Sequence, residues 1–425
     1  MRIKEYPRLE ERLYCQTLPG GTELLVLPRA GARQKTAYFA TDFGAICREL
    51  TDHGETIAVP AGSAHFLEHM LFNMPDGEDV SARFAALGAD VNAFTDYDMM
   101  AFHFTCTENF LPCLALLLEF TMTPWFTEAG VNRERGVIAQ EIAMAEDEPE
   151  SRVFEAMVAR LYPGHPVKDT ILGTRESIGE ITPELLTLLW RACFTSGRTV
   201  LCVAGDVEPE EVLAVAREGL QRLPEPVRRT KNAPAQAAAG QVTGEMDVAL
   251  PTFTLGFPCT PPEKDSGSDF WKRVGVLAVE TLLGESSELY LRLYEAGLID
   301  GSFGGACETM EGVAMLTASG DSRDPEAVCR AIVERAAWYA ANGVDEKELE
   351  RLKRSLLGGR IRELDSLDGI CYLICAAFLD GGDYLRFPET FAQVTTSDVE
   401  RFLAATVRPE TGCLAVIYPL EDEET

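Results

Sequence analysis

The sequence predicts an α+β protein built from two similar halves. Three observations carry that expectation. The chain has 425 residues, too many for one ordinary core. Strand-like and helix-like segments alternate in both halves. A stretch before the middle of the chain also matches one at its end. Residues 181–207 read ITPELLTLLWRACFTSGRTVLCVAGDV, and residues 394–420 read VTTSDVERFLAATVRPETGCLAVIYPL, aligned without a gap at an offset of 213. Leu186, Trp190, Phe194 and Val203 fall opposite Val399, Leu403, Val407 and Val416. Each stretch runs from Thr through a helix and a turn to a short apolar strand. That implies duplication of one α+β unit of roughly 200 residues. The alternative is two unrelated helix–strand units.

The first half opens with strands at 22–27 and 36–41, β-branched or aromatic and bounded by Gly or Pro. A helix is expected over 63–72, entered from the turn Pro60-Ala61-Gly62. A short helix at 81–87 closes on Gly88, and 90–96 with 99–105 read as a strand pair. Helices follow at 110–120, 128–145 and 151–161, then a strand at 200–203 and an amphipathic helix at 209–220. The second half repeats the style. A strand is expected at 252–257, helices at 268–283 and 286–296, strands at 301–309 and 312–319, and helices at 325–341, 345–359 and 366–379. Between the halves, 225–245 is rich in Pro, Ala and Gly with little periodicity, so it reads as a linker. The expected domains are therefore 1–224, the linker 225–245, and 246–425.

Apolar residues make up 46% and charged residues 25%, as in a soluble globular protein. The formal net charge of −30 disfavours nucleic acid and anionic membranes as partners. It suits basic peptides, although a generally solubilising surface explains it as well. The opening MRIKEYPRLEERLY is charged throughout and does not read as a secretory signal. Apolar runs such as 371–379 are too short to span a bilayer. Twelve cysteines without such a signal and without a C-x-x-C pair suggest free thiols in a reducing, cytoplasmic compartment.

The most informative stretch is His65-Phe66-Leu67-Glu68-His69. It spends two of the five histidines on the pattern H-x-x-E-H. On a helix, His65 and His69 lie one turn apart on one face, where two imidazoles can converge on one metal ion. A catalytic zinc usually takes three protein ligands and leaves one position for water. His53, His103 and His165 have no partner at ligand spacing, so the third ligand is expected to be one of 68 acidic residues. In RERGVIAQEIAMAEDEPE, Glu134 and Glu141 are seven apart and share a helical face with Val137 and Ile138. Carboxylates on an apolar face are costly to bury unless something pairs with them. A surface helix with scattered acids is the alternative.

HFLEH followed by this E-x6-E helix resembles the pitrilysin family of zinc metallopeptidases, the inverzincins. AGSAHFLEHMLF, GADVNAFTDYDMMAFHF, ERGVIAQEIAMAEDEPE, HPVKDTILGTRESIGEITPELL and VLCVAGDV follow in the family's order, covering most of residues 20–220. The second half is matched more loosely. AQEIAMAEDEP is closest in style to the short bacterial YmfH-like branch, which is itself similar to the processing peptidases. The resemblance implies two homologous halves, each an antiparallel sheet with helices packed on one side, with the metal site in the first. It implies zinc (Zn2+) held by His65, His69 and Glu141. Glu68 would be the general base that takes a proton from zinc-bound water. Glu134 would orient a histidine ligand, and Asn92-Ala93 would lie on the edge strand that pairs with an extended substrate.

The chain departs from the family in one place. Short relatives carry an Arg and a Tyr, seven residues apart, that contact substrate and the reacting carbonyl. Aligning on Gly297-Leu298 puts Leu293 and Asp300 at those positions, and Arg292, Tyr290 and Tyr294 miss them. An ionised aspartate cannot donate a hydrogen bond to an oxyanion. The expected enzyme is thus a zinc endopeptidase for peptides or unfolded segments. It is expected to work as a homodimer, or as a heterodimer whose zinc-less paralogue supplies the Arg/Tyr pair. The alternatives are a non-catalytic scaffold subunit of the same fold, and a structural zinc or coincidental motif.

Overall fold

The computed structural model describes residues 1–420 apart from 196–197, 222 and 261–268. The chain divides into two compact units, each assembled from three stretches. The first comprises Met1–Ile142, Thr170–Lys231 and Gly359–Arg386. The second comprises Ala143–Asp169, Asn232–Gly358 and Phe387–Thr425.

The chain begins with strands β1 (Arg2–Tyr6), β2 (Glu11–Thr17), β3 (Glu23–Pro28), β4 (Lys35–Thr41), β5 (Glu49–Asp52) and β6 (Glu55–Ala58). Helices α1 (Ser63–Leu71) and α2 (Val80–Ala86) precede β7 (Ala89–Thr95) and β8 (Met100–Cys106). Then come α3 (Phe110–Thr121), α4 (Glu128–Glu146), α5 (Pro149–Leu161), α6 (Arg175–Gly179) and α7 (Pro183–Thr195). β9 (Thr199–Gly205), α8 (Pro209–Gly219), β10 (Arg228–Arg229), β11 (Gly240–Met246) and β12 (Thr252–Pro258) follow. Beyond them lie α9 (Asp269–Leu283), α10 (Glu288–Glu295), β13 (Gly304–Met310) and β14 (Val313–Asp321). The chain continues with α11 (Pro325–Asn342), α12 (Glu346–Glu363), α13 (Leu367–Leu379), α14 (Phe387–Gln393), α15 (Thr396–Thr406) and β15 (Cys413–Pro419).

In the first unit the main sheet runs β1-β2-β3-β9-β4-β8-β7, and a small sheet runs β10-β5-β6. In the second unit the order is β11-β15-β12-β14-β13. The sequence β3-β9-β4-β8-β7 and the second sheet have the same plan, strand for strand. In both, the first pair is parallel and the rest antiparallel. The offset-213 repeat sits inside this plan. α7 and β9 answer α15 and β15, and Thr182 and Thr395 each bond a backbone N–H in the first turn of their helix. Residues 196–197 of the first copy lie outside the described residues.

The structure departs from the sequence reading, or adds to it, in three places. The sheets are not covered on one side only. Every residue of β9 is buried, as are six of the seven in β4, and a strand buried on both faces needs cover on both. The second cover is α13, which lays Ile370, Cys371, Ile374 and Cys375 against β9 and β4. In the second unit, α5 packs in the same manner on β12, β15 and β11. The stretch 225–245, read as a linker, also contributes to two sheets. It holds β10 and the start of β11, because pairing with β5 and β15 overrides its poor strand propensity. The hairpin β1–β2 was hidden by its charges, since only Tyr6, Leu13 and Cys15 turn into the core. Residue 268, where one helix was expected to begin, lies outside the described residues, and α9 starts at Asp269.

The entry to α1 is tightly built. Gly62 caps the helix with φ of 81°. A Cβ there would lie 2.3 Å from the carbonyl oxygen of Leu172. Gly62→Ala is therefore expected to cost about 2 kcal/mol or more, from left-handed strain plus a backbone clash. Urea unfolding of the full chain measures it.

Candidate active site

α1 is amphipathic in a way that separates structure from chemistry. Phe66, Leu67, Met70 and Leu71 are buried in the core of the first unit. That packing turns His65 and His69 away from the core, where their side chains remain 12% and 20% exposed. On α4, Val131, Ile138 and Ile142 face the core. Glu134 and Glu141, two turns apart, project from the flank of that stripe toward α1. Val137 does not share the buried side as expected. It is 42% exposed.

Three donor atoms meet. His65 Nε2 lies 3.2 Å from His69 Nε2, and Glu141 Oε2 lies 3.6 Å and 3.5 Å from them. A tetrahedral zinc with bonds of about 2.0–2.1 Å needs its ligand atoms roughly 3.3–3.4 Å apart. The triangle matches that spacing on all three sides. Among the described residues this is the one group of three or more His, Cys, Asp or Glu side chains gathered closely enough to hold a metal ion. Glu141 is 36% exposed, so solvent reaches the cluster.

The neighbours are arranged to suit an ion. Glu134 Oε1 sits 2.9 Å from His69 Nδ1. This carboxylate fixes the ring so that Nε2 points at the triangle. His65 Nδ1 is buried with no hydrogen-bond partner among the described residues. Burial, helped by His69, pulls the His65 pKa down to about 3, so its ring is neutral and free to ligate near pH 7. For His69, burial also works downward. The bond with Glu134 and the charges of Glu141 and Glu68 outweigh it and hold His69 above the ordinary imidazole value.

Glu68 is buried beside this cluster, 9% exposed. Its Oε2 accepts a 2.6 Å hydrogen bond from the Thr95 hydroxyl. Burial pushes its pKa up, against the opposing pull of Thr95 and His69. Sequence reasoning did not single out Thr95. The signal was present in the alternation of β7, which puts Thr95 on the same face as Val91 and Ala93, toward α1. Asn92 and Ala93 lie on β7, the outermost strand of the sheet. The Asn92 side chain accepts a bond from the Ala93 N–H at 2.9 Å.

The other histidines stay apart from this group. His103 stacks on Tyr38 and pairs with Asp368, His165 caps a short turn before Val167, and His53 lies in a turn with positive φ. At the two departures from the family pattern, Leu293 is buried in α10 and Asp300 is exposed. Asp300 accepts bonds from the Ser302 hydroxyl and N–H at 2.6 and 2.8 Å, which hold its carboxyl below the usual range.

Comparison with known proteins agrees with this geometry. Residues 58–175 match the family model for insulinase (peptidase family M16), and 180–356 match that for the peptidase M16 inactive domain. The chain is 30% identical over 424 residues to the zinc protease YmfH of Bacillus subtilis, covering 98% of each protein. The chain belongs to peptidase family M16. Another M16-like peptidase, from Alicyclobacillus acidocaldarius, has a crystal structure that superposes with a TM-score of 0.89. It is 26% identical, and the match covers 96% of this chain and 98% of that one. The mitochondrial-processing peptidase subunit beta of Caenorhabditis elegans is 25% identical over 358 residues, 80% of this chain and 76% of that protein. As an M16 member with a His-His-Glu cluster, the chain is a zinc metalloprotease by class. No helix among the described residues is long and apolar enough to cross a membrane.

For a zinc ion held at this cluster, a proton on His69 would compete with the metal, and His69 keeps its proton to a higher pH than a free imidazole. Zinc affinity is thus expected to fall about tenfold per pH unit below that raised pKa, with no contribution from His65. Glu134→Ala removes both the bond and the charge that raise it. The variant is expected to bind zinc about 10–100-fold more weakly, with the bend in its pH profile moved to lower pH. Competition with a chelating dye from pH 5 to 8 measures both.

Proposed function

We propose that His65, His69 and Glu141 bind the zinc, and that Glu68 is the general base of an endopeptidase acting on extended peptides or unfolded segments. The observation that carries this is the donor triangle with a buried carboxylate beside it. When bound, zinc supplies Lewis acidity, lowering the pKa of a water and polarising the scissile carbonyl.

Glu68 then receives the proton of the attacking water. Its burial makes it more basic than an exposed glutamate, which suits the task, while the Thr95 hydroxyl fixes one carboxylate oxygen. The same carboxyl can return the proton to the leaving amine. Glu134 holds the His69 ring in place through Nδ1. β7 offers a free strand edge to a substrate, so that main-chain hydrogen bonds read the peptide backbone and not its sequence. Until a peptide arrives, Asn92 occupies the Ala93 N–H, a device that blunts an open edge.

Glu68→Gln is expected to retain zinc and to lose activity on a quenched peptide by about 10²–10⁴-fold in kcat. Zinc content by mass spectrometry and hydrolysis rates decide it. An unchanged rate rules out Glu68 as the base.

We further propose that the active form is a dimer, either with a second copy or with a zinc-less paralogue that supplies an Arg/Tyr pair. Leu293 is committed to the core of its unit, and Asp300 is an ionised carboxylate already satisfied by Ser302. Neither can stabilise an oxyanion. A relative named as a subunit of a processing peptidase supports the pairing. A cytoplasmic location fits twelve free cysteines. Purified alone, the chain is expected to cleave a quenched peptide at least about 100-fold more slowly than when mixed with a paralogue carrying the pair. Full activity of the isolated chain excludes the heterodimer.

A further inference from the structure

A cavity of about 580 Å³ lies in the first unit. It opens beside the end of β7. Tyr38, Phe94 and Tyr372 line it with aromatic rings, and Asp96, His103 and Asp368 supply the polar groups. Thr95 belongs both to this lining and to the hydrogen bond with Glu68. The cavity is thus one side chain away from the general base.

Its polar groups are ordered. Tyr38 donates its hydroxyl to Asp368 Oδ1 at 2.9 Å, and His103 Nδ1 lies 3.3 Å from the same oxygen. His103 stacks on Tyr38 with ring centroids 4.3 Å apart. Both contacts fall on Oδ1. Oδ2 of Asp368 has no partner among the described residues, and the Asp368 side chain is 52% exposed. Asp96 is arranged alike. Its Oδ1 accepts from the Tyr97 N–H at 2.7 Å, and Oδ2 has no partner among the described residues. Bonds from His103 and Tyr38 hold the Asp368 carboxyl below its usual range.

Two open carboxylate oxygens beside aromatic faces select for one chemistry. A neutral apolar side chain would take the carboxylates out of water without a partner. An acidic one would be repelled. A guanidinium provides planar donors for the oxygens and a flat face for the rings. We propose that this cavity is a specificity pocket for an arginine side chain of a peptide lying along β7, with Asp368 as its principal contact. The proposal rests on the peptidase reading above, and it gives the chain's net charge of −30 a local counterpart in the substrate.

The test reads binding, so it does not depend on turnover. The full-length chain carrying Glu68→Gln, loaded with zinc, is titrated with labelled peptides of one sequence. Arginine, citrulline or norleucine is placed at each position in turn, and anisotropy gives Kd. At one position arginine is expected to bind about tenfold or more tightly than citrulline, which has the same shape without the charge. Adding Asp368→Asn should bring that ratio to within about twofold and leave the citrulline peptide unchanged. Tyr372→Leu, at a more exposed site, should lower it about threefold. No preference at any position, no peptide binding, or a preference that survives both variants overturns the proposal. If wild type hydrolyses nothing while the ratio holds, the peptidase reading fails and the pocket stands.

Discussion

The site depends on two helices meeting with three donor atoms at tetrahedral spacing. α1 brings two nitrogens because its other face is locked into the core by Phe66, Leu67 and Met70. α4 brings one oxygen because Ile138 and Ile142 fix its rotation. Neither helix makes a site alone. Placing a largely buried His65, a buried Glu68 and two further carboxylates together is unfavourable without a cation between them. The bond between His69 and Glu134 relieves part of that cost and sets the angle of one ring. Under the proposed assignment, zinc binding and local folding are coupled.

Among the described residues the fold carries one such centre, although its two sheets share a plan. Both sheets share the same five-strand plan, and in each a helix packs on the outermost strand, α1 on β7 and α9 on β13. α9 reads DFWKRVGVLAVETLL and presents Trp271, Val274, Leu277 and Ala278 to its core. It has no histidine. The plan survives in the second unit because it rests on buried apolar residues. The chemistry does not, because it rests on a few polar side chains at the helix flank.

Much of this was legible in the sequence. HFLEH marked the face of α1, and the seven-residue spacing of Glu134 and Glu141 marked α4, since helical period is a local property. The strand–helix order was legible for the same reason. Three features were not. Thr95 meets Glu68 only through the placement of β7 against α1. Asp368 reaches His103 only because α13 covers the first sheet. The charged hairpin β1–β2 conceals its alternation behind Arg, Lys and Glu. Each depends on which surfaces pack together, which spacing along the chain does not encode.

X-ray absorption at the zinc edge of the metal-loaded protein tests the central claim most directly. The account predicts a shell of nitrogen and oxygen ligands at about 2.0–2.1 Å, with the outer-shell scattering of two imidazoles and no sulfur. A sulfur shell at about 2.3 Å would contradict it, by assigning the metal to cysteines and leaving the His65–His69–Glu141 triangle without its ion.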